Sequence, residues 1–195
     1  VYAYSEHYIL PFSHDEVVHG KGTIVQKMWG ELDQKLPQAR SLYLYMMTHP
    51  GKKLSFMGFE LAQLREWDER REQDWSLRGC PDHEAFWRFC EALNHTYLDQ
   101  PALWERDYDP EGFEWRDVTS NERVCFAFER KDSRGGRLLT LLNLSGVTQE
   151  DWEVELPDTH NVWVMLDTDW QRFGGTTPEG AELVKIDGDT GTLSC

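Results

Sequence analysis

The sequence predicts an α/β unit followed by an all-β unit. Three observations carry this. Two short apolar runs, residues 8–12 and 53–57, flank a segment in which Ala39, Leu42, Tyr43, Met46 and Met47 recur at helical spacing. Strand, helix, strand in that order is a βαβ unit, and its strands are expected to be parallel. After Asp109-Pro110-Glu111-Gly112 the helical period ends and a period of two replaces it, which predicts an antiparallel β-sandwich. The expected division is 1–104 and 105–195.

Each element has a local reason. Residues 8–12 and 53–57 read as short buried strands. The helix between them is expected to have Pro37 near its first turn and to stop at Pro50-Gly51. A second helix carries Phe86, Phe89, Cys90, Leu93 and Tyr97, with Pro101 beyond its end. In the later region Val124, Phe126 and Phe128 alternate with Cys125, Ala127 and Glu129. Residues 138–144 are almost continuously apolar. Trp152, Val154 and Leu156 alternate with Glu153 and Glu155, and Val162, Val164 and Leu166 repeat the period. Gly-Gly pairs at 135–136 and 174–175 break the strands. Residues 65–74 are charged with mixed sign, a solvated loop or helix face.

Composition narrows the function. The chain has 195 residues, 39% hydrophobic and 13% aromatic, enough for a real core. Its 20 basic and 35 acidic residues give a net charge of −15. That excess of acid excludes a phosphate-tracking nucleic-acid binder and docking on an anionic membrane. No apolar run approaches the roughly 18 residues of a membrane span. The N-terminus has no starting Met and no signal-peptide pattern. Cys80, Cys90, Cys125 and Cys195 are scattered without a C-x-x-C, which predicts reduced thiols and a cytoplasmic protein.

Ser13-His14-Asp15-Glu16-Val17-Val18-His19-Gly20-Lys21 is the densest candidate site. It directly follows a strand, and α/β enzymes place their catalytic groups at the carboxyl ends of parallel strands. The competing reading is a helix cap by Ser13 or Asp15 with acids in the first turn. Metal readings fail on spacing. His14 and His19 do not stand at i, i+4, and Glu16-x-x-His19 has no second pair for a di-iron site. No metal and no cofactor are expected. Retaining glycosidase chemistry needs two carboxylates about 5–5.5 Å apart. Asp15 fits as one acidic member, with His14 donating to a sugar hydroxyl. Glu60, just past the second strand, is another acidic candidate, with a helix-start role as its alternative. Among the nine tryptophans, Trp67 and Trp75 lie in the charged loop and are the better sugar-stacking candidates. Trp152 and Trp163 are expected in strands, and His83, His95 and His160 are expected to be structural.

The Ser13–Lys21 segment closely resembles the fourth conserved region of the 1,4-α-glucan branching enzymes of the α-amylase superfamily (glycoside hydrolase family 13). Pro50-Gly51-Lys52-Lys53-Leu54-Ser55-Phe56-Met57-Gly58 resembles that family's lead into its eighth barrel strand. Arg65-Glu66-Trp67 and Gln73-Asp74-Trp75 resemble the loop that follows. Leu93-Asn94-His95-Thr96-Tyr97 resembles the next helix, and Asp109-Pro110-Glu111-Gly112-Phe113-Glu114-Trp115 the junction to the C-terminal β domain. The likeness covers roughly residues 2–145 and is looser beyond. Gly58-Phe59-Glu60-Leu61 departs from the family's more usual Gly-Asn-Glu-Phe.

The resemblance implies that residues 1–104 are the last part of a (β/α)8 TIM barrel, with strands 7 and 8. It implies that residues 105–195 are the C-terminal β domain without its last strand. It also implies an α-glucan substrate, glycogen or amylose, and a longer parent enzyme that supplies the nucleophile and the acid/base. Asp15 would then be the catalytic transition-state stabiliser. His14 and Glu16 would bind substrate, with Glu60 and Trp67 as further contacts. A non-catalytic glucan-binding or interaction module, or another amylase-superfamily transferase or hydrolase, is the alternative.

Overall fold

The structure, a computed structural model, describes residues 6–118, 122–150, 152–180, 183–185 and 192–194. Cys195 lies outside them. The first part is built on β1 (Ile9–Phe12), α1 (Leu32–Thr48), β2 (Lys52–Ser55) and α2 (Pro81–Asp99). β1 and β2 pair in parallel from Ile9 opposite Lys52 to Phe12 opposite Ser55, the βαβ unit expected. α1 begins earlier than Pro37 implied. Glu31 and Gln34 form a reciprocal capping box, so Pro37 lies inside the helix, beyond its first turn. Its missing N–H removes one ladder bond, and the capping box fixes the start instead. α2 follows the N-terminal rule, with Pro81 in its first turn.

The two strands are not buried as the sequence predicted. Ile9 is 51% and Leu54 37% exposed, and Pro11 and Ser55 are also exposed. The reason is topological: among the described residues the sheet has two strands, and the first core covers one face of it. Leu10, Phe12 and Phe56 turn inward onto that core.

α1 and α2 pack through Tyr43 on Phe86, with ring centroids 5.5 Å apart and nearly perpendicular. Phe86 and Phe89 are fully buried. Burial of such a side chain stabilises by about 1.5–3 kcal/mol. The same core takes in Trp170 and Phe173 from far along the chain, with Phe173 against Phe89 at 5.5 Å. Arg40 on α1 donates to the Thr168 carbonyl at 2.7 Å.

The second part is all-β and antiparallel, as expected. β3 (Phe113–Asp117), β4 (Cys125–Lys131) and β5 (Arg137–Asn143) form one sheet with β4 central. β6 (Glu153–Glu155) pairs with β9 (Thr192–Ser194), and β7 (Asn161–Trp163) with β8 (Leu183–Lys185). Cys125 and Ala127 on one face of β4 pack against Trp152, Val154, Leu156 and Leu193. Trp152 also donates its indole N–H to Asp117 at 2.8 Å. The expected continuation of one face through Val162, Val164 and Leu166 is broken. Val162 joins this second core, whereas Val164 and Leu166 pack on the first, because β7 ends at Trp163.

The other face of β4 meets the helices. Phe128 packs near Tyr45 of α1 and against Phe113 and Trp115 of β3. Arg130 is fully buried and donates to Asp107 Oδ1 at 2.8 Å, to the Thr48 carbonyl at 2.8 Å and to the Gly112 carbonyl at 3.3 Å. Lys52 Nζ lies 3.4 Å from the other Asp107 oxygen. Lys53, next in β2, bonds to the His49 carbonyl and stands over the Tyr97 ring. Burial pushes its ammonium pKa down to about 7, with Arg130 and Lys52 adding to the shift and Asp107 opposing it.

Removing one partner of a buried pair strands the other charge. Arg130→Met is expected to destabilise by about 3–5 kcal/mol in urea unfolding. The double variant Arg130→Met/Asp107→Leu should recover much of that loss. Lys53 makes a pH prediction. Below pH 7 it is charged in both states, and the folded state carries the full burial penalty. Between about pH 7 and 10 the folded group is neutral while the unfolded one still binds a proton, so stability rises with pH. Lys53→Met should flatten that rise and raise the urea midpoint at pH 6.

Candidate functional site

The site begins where β1 ends. Ser13 caps the short 3-10 helix His14–Val17: its hydroxyl accepts from the Asp15 N–H at 3.3 Å, and the Glu16 carboxylate reaches back to the Ser13 N–H at 2.6 Å and hydroxyl at 2.7 Å. This is a capping box, so the cap reading of Ser13 and Glu16 describes the local fold. The Ser13 bonds hold the Glu16 carboxyl below the usual carboxylate range. The cap leaves His14 and Asp15 projecting outward, both exposed.

Asp15 Oδ1 lies 3.1 Å from Lys21 Nζ, which also donates to the Asp15 carbonyl at 2.8 Å. The Lys21 hydrogen bond and charge hold the Asp15 carboxyl below its ordinary value, and His14 and His19 act in the same direction. His14 stands edge-on to Trp67, with centroids 6.0 Å apart, and 5.9 Å from Phe56. Phe56 and Trp67 are themselves nearly perpendicular at 5.3 Å. His14 and Trp67, with Val18, His19, Arg65 and Glu66, line an open cavity of about 510 Å³.

Of the expected residues, the structure brings His14 and Trp67 to this one cavity, with Asp15 next to His14 in the chain and paired to Lys21. Glu60 is used elsewhere. It stands in the first turn of the 3-10 helix Phe59–Leu61 and accepts from the Gly58 N–H at 2.9 Å, a helix-start role. Its charge is felt at Tyr43 and Cys90, on the core side. Trp75 is 52% exposed at the start of the 3-10 helix Trp75–Gly79, and Trp163 is 61% exposed on β7. His83 is structural as expected: it is buried, with Nδ1 2.8 Å from the Leu61 carbonyl. His95 and His160 are exposed.

Sequence reasoning gave no role to Glu66, Lys21 or Lys27. Glu66 accepts from the N–H groups of Gly20 at 3.0 Å and Gly22 at 2.6 Å. Lys27 Nζ donates to the carbonyls of Glu16, Lys21 and Gly22 at 2.6, 2.8 and 3.0 Å. The one signal in the sequence was the pair Gly20 and Gly22, which marks backbone free to turn left-handed. Among the described residues no group of three or more His, Cys, Asp or Glu side chains could hold a metal ion. No helix of the described residues is long and apolar enough to cross a membrane.

A parallel strand–helix–strand unit with an acidic cluster at its carboxyl edge is followed by an antiparallel all-β part. Residues 115–194 match the family model of the alpha amylase C-terminal all-beta domain. Along the whole chain the relatives are more particular. The chain is 44% identical over 176 residues to the 1,4-alpha-glucan branching enzyme GlgB of Leifsonia xyli subsp. xyli, covering 90% of this chain and 24% of that protein. It is 44% identical over 191 residues to GlgB 1 of Streptomyces avermitilis, 95% of this chain and 23% of that one. It is 42% identical over 176 residues to GlgB of Aquifex aeolicus, 90% of this chain and 28% of that one. The chain belongs to the 1,4-alpha-glucan branching enzyme family, and spans about a quarter of the length of these relatives.

The capping box carries a prediction. Ser13→Ala removes the hydroxyl that bonds Glu16. The Glu16 carboxyl should then titrate closer to its ordinary value in a carbon-13 NMR titration, and the chain should lose about 0.5–2 kcal/mol of stability.

Proposed function

We propose that this chain is the C-terminal part of a cytoplasmic 1,4-alpha-glucan branching enzyme acting in glycogen biosynthesis. Residues 1–104 form the last quarter of its (β/α)8 TIM barrel, with β1 and β2 as strands 7 and 8, and residues 105–195 form its C-terminal domain. The enzyme cleaves an α-1,4 glucan, holds the chain as a covalent glycosyl intermediate and transfers it to a 6-hydroxyl of an acceptor glucan. The nucleophile and the acid/base come from the rest of the parent enzyme. No metal or organic cofactor takes part.

The observation that carries this reading is the exposed Asp15 carboxylate beside His14 just past the carboxyl end of a parallel strand, paired with Lys21. An ionised carboxylate that neither attacks nor protonates stabilises the positive charge developing at the sugar's anomeric centre. His14, braced edge-on by Trp67, donates a hydrogen bond to a hydroxyl of the same sugar. Glu16 contacts substrate through Oε1, since Ser13 takes Oε2. Trp67 offers its ring to the glucan across the open cavity. Two exposed strands in a two-stranded sheet fit a barrel whose other strands complete it.

The experiment is an amylose branching assay. In the intact enzyme, Asp15→Asn keeps the side-chain shape and removes the charge. Groups of this kind contribute about 2.7–4 kcal/mol, so turnover should fall roughly 10²-fold or more. His14→Ala should cost less, and both variants should remain folded. This chain alone should form no α-1,6 linkages and no new reducing ends. Near-normal turnover in Asp15→Asn would return Asp15 to the role of a helix-start acid.

A further inference from the structure

The proposed function uses Asp15 and His14 but leaves Glu66 without a task. We propose that Glu66 is a positioning residue, whose carboxylate fastens the loop 18–22 so that Lys21 stays on Asp15. The inference rests on the reading of Asp15 as the group that meets the substrate.

His19, Gly20 and Gly22 have φ of 59°, 80° and 74°, and a left-handed histidine is uncommon. Left-handed residues so close together turn neighbouring N–H groups toward one side, forming a cradle for an anion. One carboxylate fills it: Glu66 Oε2 takes the Gly20 N–H and Oε1 the Gly22 N–H, from 46 and 44 residues away. Lys27 holds the opposite, carbonyl side of the loop at Lys21 and Gly22. The residue after Glu66 ties the same segments together, since the Trp67 N–H donates to the Val17 carbonyl at 3.1 Å.

Lys21 sits between the two fastened glycines. Its side chain and that of Asp15 are 47% and 71% exposed. An ion pair that exposed holds weakly by itself, because two free side chains lose freedom to meet and water screens them. Fixing the Lys21 backbone on both sides removes part of that loss. The groups facing Asp15 are Lys21, His14 and His19, and those facing Glu66 are the Gly20 and Gly22 amides, Lys27 and His19. Glu66 therefore acts on Asp15 through the loop and not by touching it.

The test is a carbon-13 titration of the Asp15 carboxyl on the 195-residue chain, together with amide exchange at Gly20 and Gly22. Lys21→Met should raise the Asp15 midpoint toward that of an ordinary carboxylate, which sets the full effect of losing the pair. Glu66→Ala should raise it by a comparable amount while leaving both members of the pair in place. It should also speed exchange at the two glycines about tenfold or more. Glu66→Gln keeps one acceptor oxygen and should fall between the wild type and Glu66→Ala. Unchanged exchange in Glu66→Ala, or faster exchange with an unmoved Asp15 midpoint, would overturn the proposal. Maltoheptaose added to the wild-type chain reports separately on the glucan reading. If it leaves the His14 and Trp67 signals where they were, that reading fails at this site, and the Asp15 midpoints still decide the role of Glu66.

Discussion

Arg130 is a guanidinium with no exposed surface, and the arrangement of the two halves depends on it. It leaves the central strand of the β sheet and ends against the Asp107 carboxylate, the last carbonyl of α1 and the Gly112 carbonyl. A planar cation with several donors can satisfy three acceptors from three segments at once, which an ammonium does less well. A buried charge pair is a poor source of net stability compared with apolar packing. Its value here is geometric. The strand, the end of α1 and the turn before β3 can only close around the charge in one relative position. The aromatic contacts of Phe128 with Tyr45, His49 and Phe113 fill the space beside it.

That constraint reaches the candidate site through short, stiff links. α1 ends at Thr48, whose carbonyl Arg130 holds, and β2 begins four residues later. β2 fixes β1 by its parallel register, and the ladder extends by the Phe56 N–H to the Phe12 carbonyl at 2.9 Å. On the opposite side, Tyr108 donates to the Tyr8 carbonyl at 3.1 Å and stacks on His7. The end of β1, and so Ser13 and His14, is thus located from the same turn that carries Asp107. Among the described residues none of the β part lines the cavity, yet the turn before β3 holds the chain at the start of β1.

Much of this was legible in the sequence, and the parts that were not share a cause. The helix faces were readable because Tyr43, Met46, Phe86 and Phe89 recur with the period of the helix itself. The strands were readable as strands, but not in their burial. Ile9 and Leu54 are apolar, and whether an apolar residue is covered depends on neighbours that a local pattern does not contain. Helix α1 started early because Glu31 and Gln34 make a cap from residues less diagnostic than Ser or Thr. At the site, Ser13-x-x-Glu16 carried its own capping signature, and the resemblance to branching enzymes pointed to His14 and Asp15. Glu66 was invisible as a partner of Gly20 and Gly22, since nothing in a linear pattern joins residues so far apart. Arg130 was hidden in the same way, a charge inside an alternating strand whose acceptors lie elsewhere.

The return of residues 164–173 to the helical core bears on how the chain acquires its shape. Arg40 waits for the Thr168 carbonyl across 128 positions of sequence, and Phe89 for Phe173. Chain closure over such a span loses entropy before any contact compensates it, and folds rich in distant contacts form slowly. On the ribosome, α1 and α2 would emerge long before Trp170 and Phe173 arrive to cover them. For that interval the inner faces of both helices stay open to water, and to any chaperone able to bind them.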